Sequence, residues 1–125
     1  MINAAKTFKK ILREYGHDII YQRRISDDFL YSDNFERITT RHFYPSSEAL
    51  AQAQREDSEG INTNVDVIYY FEESVYPKQG DRIYEESFSN VNNPNVFLID
   101  YAAPVRGRMG KIVYWIAGAT REIPI

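Results

Sequence analysis

From residue 63 to residue 118 the chain is a succession of short apolar segments separated by turn residues, and this spacing decides what it can fold into. Val65, Val67, Tyr69 and Phe71 alternate with polar or outward-facing positions, while Ile68 and Tyr70 make the other face apolar too. Residues 74–81, with Pro77 and Gly80, read as a turn; 82–86 as a short strand; 88–95 (FSNVNNPN) as an Asn-rich loop; 96–101 as a buried strand; 104–110 (PVRGRMG) as a turn; 111–117, with Trp115, as the last strand. Parallel neighbours need a crossover of about a dozen residues or more, and these connections are shorter, so the strands are antiparallel.

Two further strands precede them. Residues 18–25 alternate around Ile19, Tyr21 and Ile25, and 35–44 carry the β-formers Ile38, Thr39, Thr40 and Phe43 before Pro45 stops them. Residues 26–34 (SDDFLYSDN) read as a polar loop between the two. The first fifteen residues differ. Ala5, Phe8, Leu12 and Tyr15 recur at helical spacing, Asn3 is placed to cap, and Gly16 is expected to end the helix in a left-handed conformation. Both faces of the strand beginning at Val65 are apolar, so its outer face is expected to lie under this helix or under a neighbour.

Residues 46–60 (SSEALAQAQREDSEG) contain helix formers but only one large apolar residue, Leu50. A short helix without an apolar face gains little by docking. The 45–62 stretch is therefore read as a long, partly helical inserted loop. The fold class that follows is mainly β: one domain with about six short antiparallel strands in a small barrel or sandwich, an N-terminal helix and that insertion.

The chain has 125 residues, so a single domain is the natural expectation. It has no cysteine, which removes disulfides, thiolate metal sites and cysteine nucleophiles. No window approaches the roughly 18 apolar residues of a membrane span, and the basic, amphipathic start does not read as a secretory signal. His17 and His42 are the only histidines, with no HxH or HxxxH pattern, and the Asp27, Asp28, Asp33 loop lacks EF-hand spacing, so no metal or other cofactor is expected. The adjacent acids Glu72/Glu73 and Glu85/Glu86 point to opposite strand faces, each pair offering one carboxylate at most to a cleft. No Ser nucleophile turn or phosphate-binding Gly loop is present, and the reading is of a non-enzyme.

Charge is distributed unevenly. The net charge is -3, from 15 Lys+Arg and 18 Asp+Glu. Residues 1–14 carry Lys6, Lys9, Lys10 and Arg13 against Glu14, a net +3, and residues 101–125 carry Arg106, Arg108, Lys111 and Arg121 against Glu122, also +3. Residues 46–60 and 72–86 are each -3. Opposite charge on separate elements suits docking between copies of one chain, with Lys6, Lys9, Lys10 and Arg13 facing Glu72, Glu73, Asp81 and Glu85. The turn bearing Arg106, Arg108 and Lys111 is the candidate contact for DNA or an acidic partner.

Taken together, GHDIIYQRR at 16–24, the strand ending in Tyr44-Pro45, PKQGDRIYE at 77–85, and the apolar and aromatic strands that follow resemble the small head-tail connector proteins of tailed bacteriophages. These are the head-completion or stopper proteins of the neck. The resemblance implies a small β-barrel with a long loop inserted between early strands. It implies assembly, generally as a hexameric ring, between portal or adaptor and tail, around DNA in the channel. It also implies a place in the virion after assembly in the host cytoplasm. By position, the channel or gating loop would include Ser46, Ser47, Glu48, Gln52, Gln54, Arg55, Glu56, Asp57 and Glu59. Another small-barrel protein of the tail or baseplate, such as a tail terminator or adaptor, is the alternative, and a nucleic-acid-binding domain the next.

Overall fold

The computed structural model describes residues 3–25, 30–43, 65–90 and 93–122. Six antiparallel strands close on themselves in the order β1-β2-β3-β6-β5-β4. They are β1 (His17–Arg24), β2 (Tyr31–Phe43), β3 (Val67–Glu72), β4 (Arg82–Asn90), β5 (Asn93–Arg106) and β6 (Ile112–Arg121). A helix, α1 (Ala4–Tyr15), precedes them, and a single 3-10 turn at Arg108–Gly110 lies between β5 and β6. The expected barrel with its N-terminal helix is therefore present.

Alternation sets the interior. Ile19 and Tyr21 of β1, Ile83 of β4, Phe97 and Ile99 of β5, Ala117 and Ala119 of β6 and Val67, Tyr69 and Phe71 of β3 form one buried cluster, with Ile38 and Trp115 packed against it. Tyr21 meets Phe71 edge-on at 5.8 Å, while Tyr69 stacks on Phe71 at the same distance. Aromatic side chains of this volume fill a six-stranded barrel without leaving a pore.

The barrel has two distinct ends. The α1–β1 junction, the departure of the chain after Phe43, its return before β3 and the β4–β5 turn share one end. The β1–β2 turn, the β3–β4 connection and the β5–β6 turn share the other. The β3–β4 connection must cross that second end, because β3 pairs with β2 and β6 while β4 pairs with β1 and β5. Val75 and Pro77 are buried there, and Trp115 Nε1 donates to the Glu73 carbonyl at 2.9 Å. Gly80, at φ +91°, makes the turn that leads into β4.

Several strands run further than their local composition suggests. β2 begins at Tyr31, inside the segment read as a polar loop. β4 and β5 continue through most of the Asn-rich 88–95 stretch, with Asn90 pairing Asn93. Asn is a weak β-former, but a hairpin extended from a barrel gains ladder hydrogen bonds that offset the preference. Pro104 lies within β5 opposite Trp115, beyond the part of β5 that pairs with β4, so its missing N–H costs no bond on that side. A bulge between Ile99 and Tyr101 shifts the register of this long strand.

α1 packs against β2, β3 and β6. Asn3 caps it as expected, accepting from the Lys6 amide at 3.2 Å. Leu12 is buried, and Phe8 stacks on Tyr114 at 4.6 Å. Ile68, on the outward face of β3, is only 2 % exposed. The outer face of β3 is thus covered within the chain. Tyr15, by contrast, stays exposed, with the Arg41 guanidinium 5.9 Å from its ring.

Gly16 differs from its expectation. Its φ of -87° and ψ of -178° are extended, not left-handed. The glycine is required by proximity instead. A Cβ there would meet the Leu12 carbonyl oxygen at 2.5 Å and the Thr40 carbonyl oxygen at 2.6 Å, both backbone atoms that cannot swing aside. Gly16→Ala should destabilise the protein by about 1–3 kcal/mol by forcing helix and barrel apart. The check is a urea titration of both proteins; an unchanged midpoint would show that this joint is not tightly packed.

Candidate functional site

The charged residues proposed from sequence to meet another subunit divide into two groups. Lys6, Lys10 and Arg13 are exposed on α1. Lys9 already has a partner in its own chain: its Nζ lies 3.0 Å from Glu73 Oε1. Glu72, half-buried, accepts from Ser74 Oγ at 2.7 Å. Asp81 and Glu85 correct the expectation outright. Each is only 1 % exposed, because both fall on inward-facing positions at or beside β4. A carboxylate so enclosed presents no charge to a neighbouring molecule.

The basic turn is where its composition put it, at the tip of the β5–β6 hairpin. Arg106, Arg108 and Lys111 are all exposed. Arg106 Nη1 donates to the Gly110 carbonyl at 2.8 Å, so that guanidinium is partly used in holding the turn. Met109, at φ +68°, stands 94 % exposed between the bases. The residues proposed to line a channel, 46–59, lie outside the described residues.

Asp81 and Glu85 instead clasp the seam between β1 and β4. Among the described residues three pairs join these strands: Ile20 with Tyr84, Tyr21 with Ile83 and Gln22 with Arg82. At one end of the seam Asp81 accepts from the Tyr21 hydroxyl, from the Arg24 amide at 2.8 Å and from the Lys78 amide at 3.0 Å. Burial, reinforced by the Asp81 carboxylate, holds the Tyr21 hydroxyl far above its ordinary pKa, so it remains a donor. A buried carboxylate is tolerated only when its lone pairs are satisfied, and here three donors converge on it.

At the other end Glu85 lies beside His17 and His42. His17 Nε2 is 3.0 Å from Glu85 Oε2 and 3.2 Å from Oε1. The Tyr69 hydroxyl donates to Oε1 at 2.7 Å. The two imidazoles pack edge-on, with ring centroids 4.6 Å apart. One ring nitrogen from each histidine and a Glu85 oxygen all lie within 4.8 Å of one another, the one His/Asp/Glu cluster with metal-ligand spacing among the described residues. Burial alone would raise the Glu85 pKa, but hydrogen bonds from His17 and Tyr69 and the nearby imidazoles outweigh it and hold the carboxyl below its usual range. Burial pushes the His42 imidazole below its usual value, against the pull of Glu85. The sequence offered no local signal for this cluster. His17 and His42 are 25 positions apart and Glu85 a further 43, and only adjacency of β1 to both β2 and β4 unites them.

No helix among the described residues is long and apolar enough to cross a membrane. No protein-family model, curated protein or solved structure matches the chain.

The buried cluster makes stability depend on pH with a definite sign. Glu85 is held below its ordinary value of 4.5, so its contribution is complete above that value and disappears as pH falls through the lower folded pKa. His42 is held below 6.5, so the unfolded chain takes up its proton first and stability falls as pH drops from that value. The urea midpoint should therefore decline steadily from pH 7 to pH 4. Glu85→Gln should cost about 2 kcal/mol at pH 7 and flatten the segment of the profile below 4.5. Parallel profiles for the two proteins would show that Glu85 does not titrate as described.

Proposed function

We propose that this chain is a ring-forming structural subunit of a tailed-phage neck, of the head-completion or stopper type, standing between DNA-filled head and tail. The observation that carries the reading is the closed six-stranded barrel with a helix laid along its side and its longest connection between β2 and β3. A barrel with a long loop between early strands is the layout the resemblance implies, the helix being an addition to the barest barrel, and PKQGDRIYE, its most telling motif, spans the end of the β3–β4 connection and the entry into β4. Closure pairs part of every strand on both sides within the chain, which limits the edge open to sheet extension between copies.

Surface chemistry supports a contact role at the second end. Ile25 and Leu30 lie just after β1 and just before β2, Tyr76 lies in the crossing connection and Met109 tips the β5–β6 hairpin, all largely exposed. Large apolar side chains gathered at one end are a common mark of a protein contact. Arg108 and Lys111 beside Met109 add positive charge suited to an acidic partner or to the DNA backbone. The intrachain Lys9–Glu73 pair reduces the charge left for helix-to-strand docking between copies. The apolar and basic end is therefore the stronger candidate surface.

Purified protein examined by negative-stain imaging and light scattering should form rings, most simply of six subunits. Met109→Asp, at an exposed tip, should leave the circular-dichroism spectrum intact and weaken association at least tenfold. A strictly monomeric protein at all concentrations and salt strengths, alone and with tail-less heads, would overturn the reading. If that monomer shifts oligonucleotides at physiological salt, the nucleic-acid-binding alternative takes its place.

A further inference from the structure

We propose that His17, His42 and Glu85 bind a single divalent transition-metal ion of the zinc, cobalt or nickel type at the end of the barrel from which the chain leaves β2. The three side chains come from three adjacent strands, β1, β2 and β4, and share the inward face. His17 and Ile19 lie on one face of β1, and Ile38, Thr40 and His42 on the matching face of β2, as the Ile19–Ile38 pairing requires. Glu85 occupies the inward face of β4 two positions beyond Ile83.

The distances suit a metal. Two donors each about 2.1 Å from a tetrahedral ion are themselves about 3.4 Å apart. His17 Nε2 lies 3.0 and 3.2 Å from the two Glu85 oxygens, and the full set of three donors falls within 4.8 Å. A small movement of His42 toward the pair would complete three protein ligands. Two imidazoles and one carboxylate form a donor set that suits zinc, cobalt and nickel and disfavours calcium and magnesium, which prefer all-oxygen surroundings.

The surroundings are those of a supported site. The Tyr69 hydroxyl fixes one Glu85 oxygen at 2.7 Å, as outer groups commonly orient a ligating carboxylate. The Glu85 side chain is enclosed, while the His17 side chain is 28 % exposed, which leaves a route from solvent to the donors. The second imidazole, His42, lies within ligand reach of the same carboxylate and of His17, so all three donors can converge on one ion. His42 is followed by Phe43, where β2 ends. An ion at this point would tie that strand end to β1 and β4 and stiffen the barrel rim. The proposal stands independently of ring assembly.

The test uses tag-free, full-length protein stripped with a chelator. Calorimetric titration with zinc chloride should give one saturable site per chain, and cobalt chloride should give a visible d–d absorption band. Zinc should also raise the melting temperature, because it binds the folded state preferentially. His42→Ala and His17→Gln, each checked for folding by circular dichroism, should weaken zinc binding by 100-fold or more, and Tyr69→Phe by about 10-fold. Magnesium chloride should produce neither heat nor a thermal shift. The proposal is overturned if zinc shows no saturable one-to-one binding. It is equally overturned if binding keeps its affinity in both folded histidine variants, since the ion would then sit elsewhere.

Discussion

Closure of the barrel depends on the short seam between β1 and β4. Among the described residues, backbone pairing there spans three residue pairs. Side chains extend the seam in both directions: Asp81 receives the Tyr21 hydroxyl and the Arg24 amide at one end, and Glu85 receives His17 at the other. On the outer face the Tyr84 hydroxyl donates to Gln22 Oε1 at 2.9 Å between them. The Tyr21–Asp81 bond is fully buried and the others are partly so, and loss of a partner of Asp81 or Glu85 would leave a buried carboxylate less satisfied. Without the seam the six strands would form an open sheet with β1–β2–β3–β6–β5–β4 as a ribbon and two unpaired edges.

The charges of the chain divide between this interior role and the surface. Arg23 meets Glu36 at 2.7 Å, Arg82 meets Glu122 at 2.8 Å and Lys9 meets Glu73 at 3.0 Å, all partly exposed. Pairs of this kind contribute about 0–1 kcal/mol each. Of the three, only Lys9–Glu73 joins the excess charge of a basic segment to that of an acidic one; Arg82–Glu122 pairs the minority charge of each of its segments and leaves their imbalance in place. Among the described residues, the charges exposed at the surface include those on the outer face of α1 and at the hairpin tip of Arg108, Met109 and Lys111. The second barrel end therefore combines exposed apolar side chains with positive charge, whereas the first combines half-buried imidazoles with a buried carboxylate.

Much of the fold was legible in the chain. The α1 stripe, its Asn3 cap, the inward alternation of Val67, Tyr69 and Phe71, and the covering of the outer β3 face at Ile68 all follow from local polarity. Strand ends were less legible: 31–34 and 88–95 are rich in Asp, Asn and Ser, and only pairing across the barrel makes them strands. Glu85 and Asp81 were misplaced for a related reason. A carboxylate in a strand carries no sign of whether a Tyr hydroxyl and an imidazole await it inside, and the common case is solvent. The histidine cluster had no signature at all, because its members are distant in sequence.

By itself the sequence determined the kind of the main elements, though not their ends: a short amphipathic helix, then antiparallel strands with aromatic inward faces. These depend on the polarity of each segment alone and need no knowledge of neighbours. The tertiary structure decided which strands lie side by side, setting β4 against β1 and β3 against β6. That choice is made by closing a barrel whose total side-chain volume must fit, a condition no single segment carries. It is also what turned two acidic residues into buried clasps and drew His17, His42 and Glu85 into one cluster.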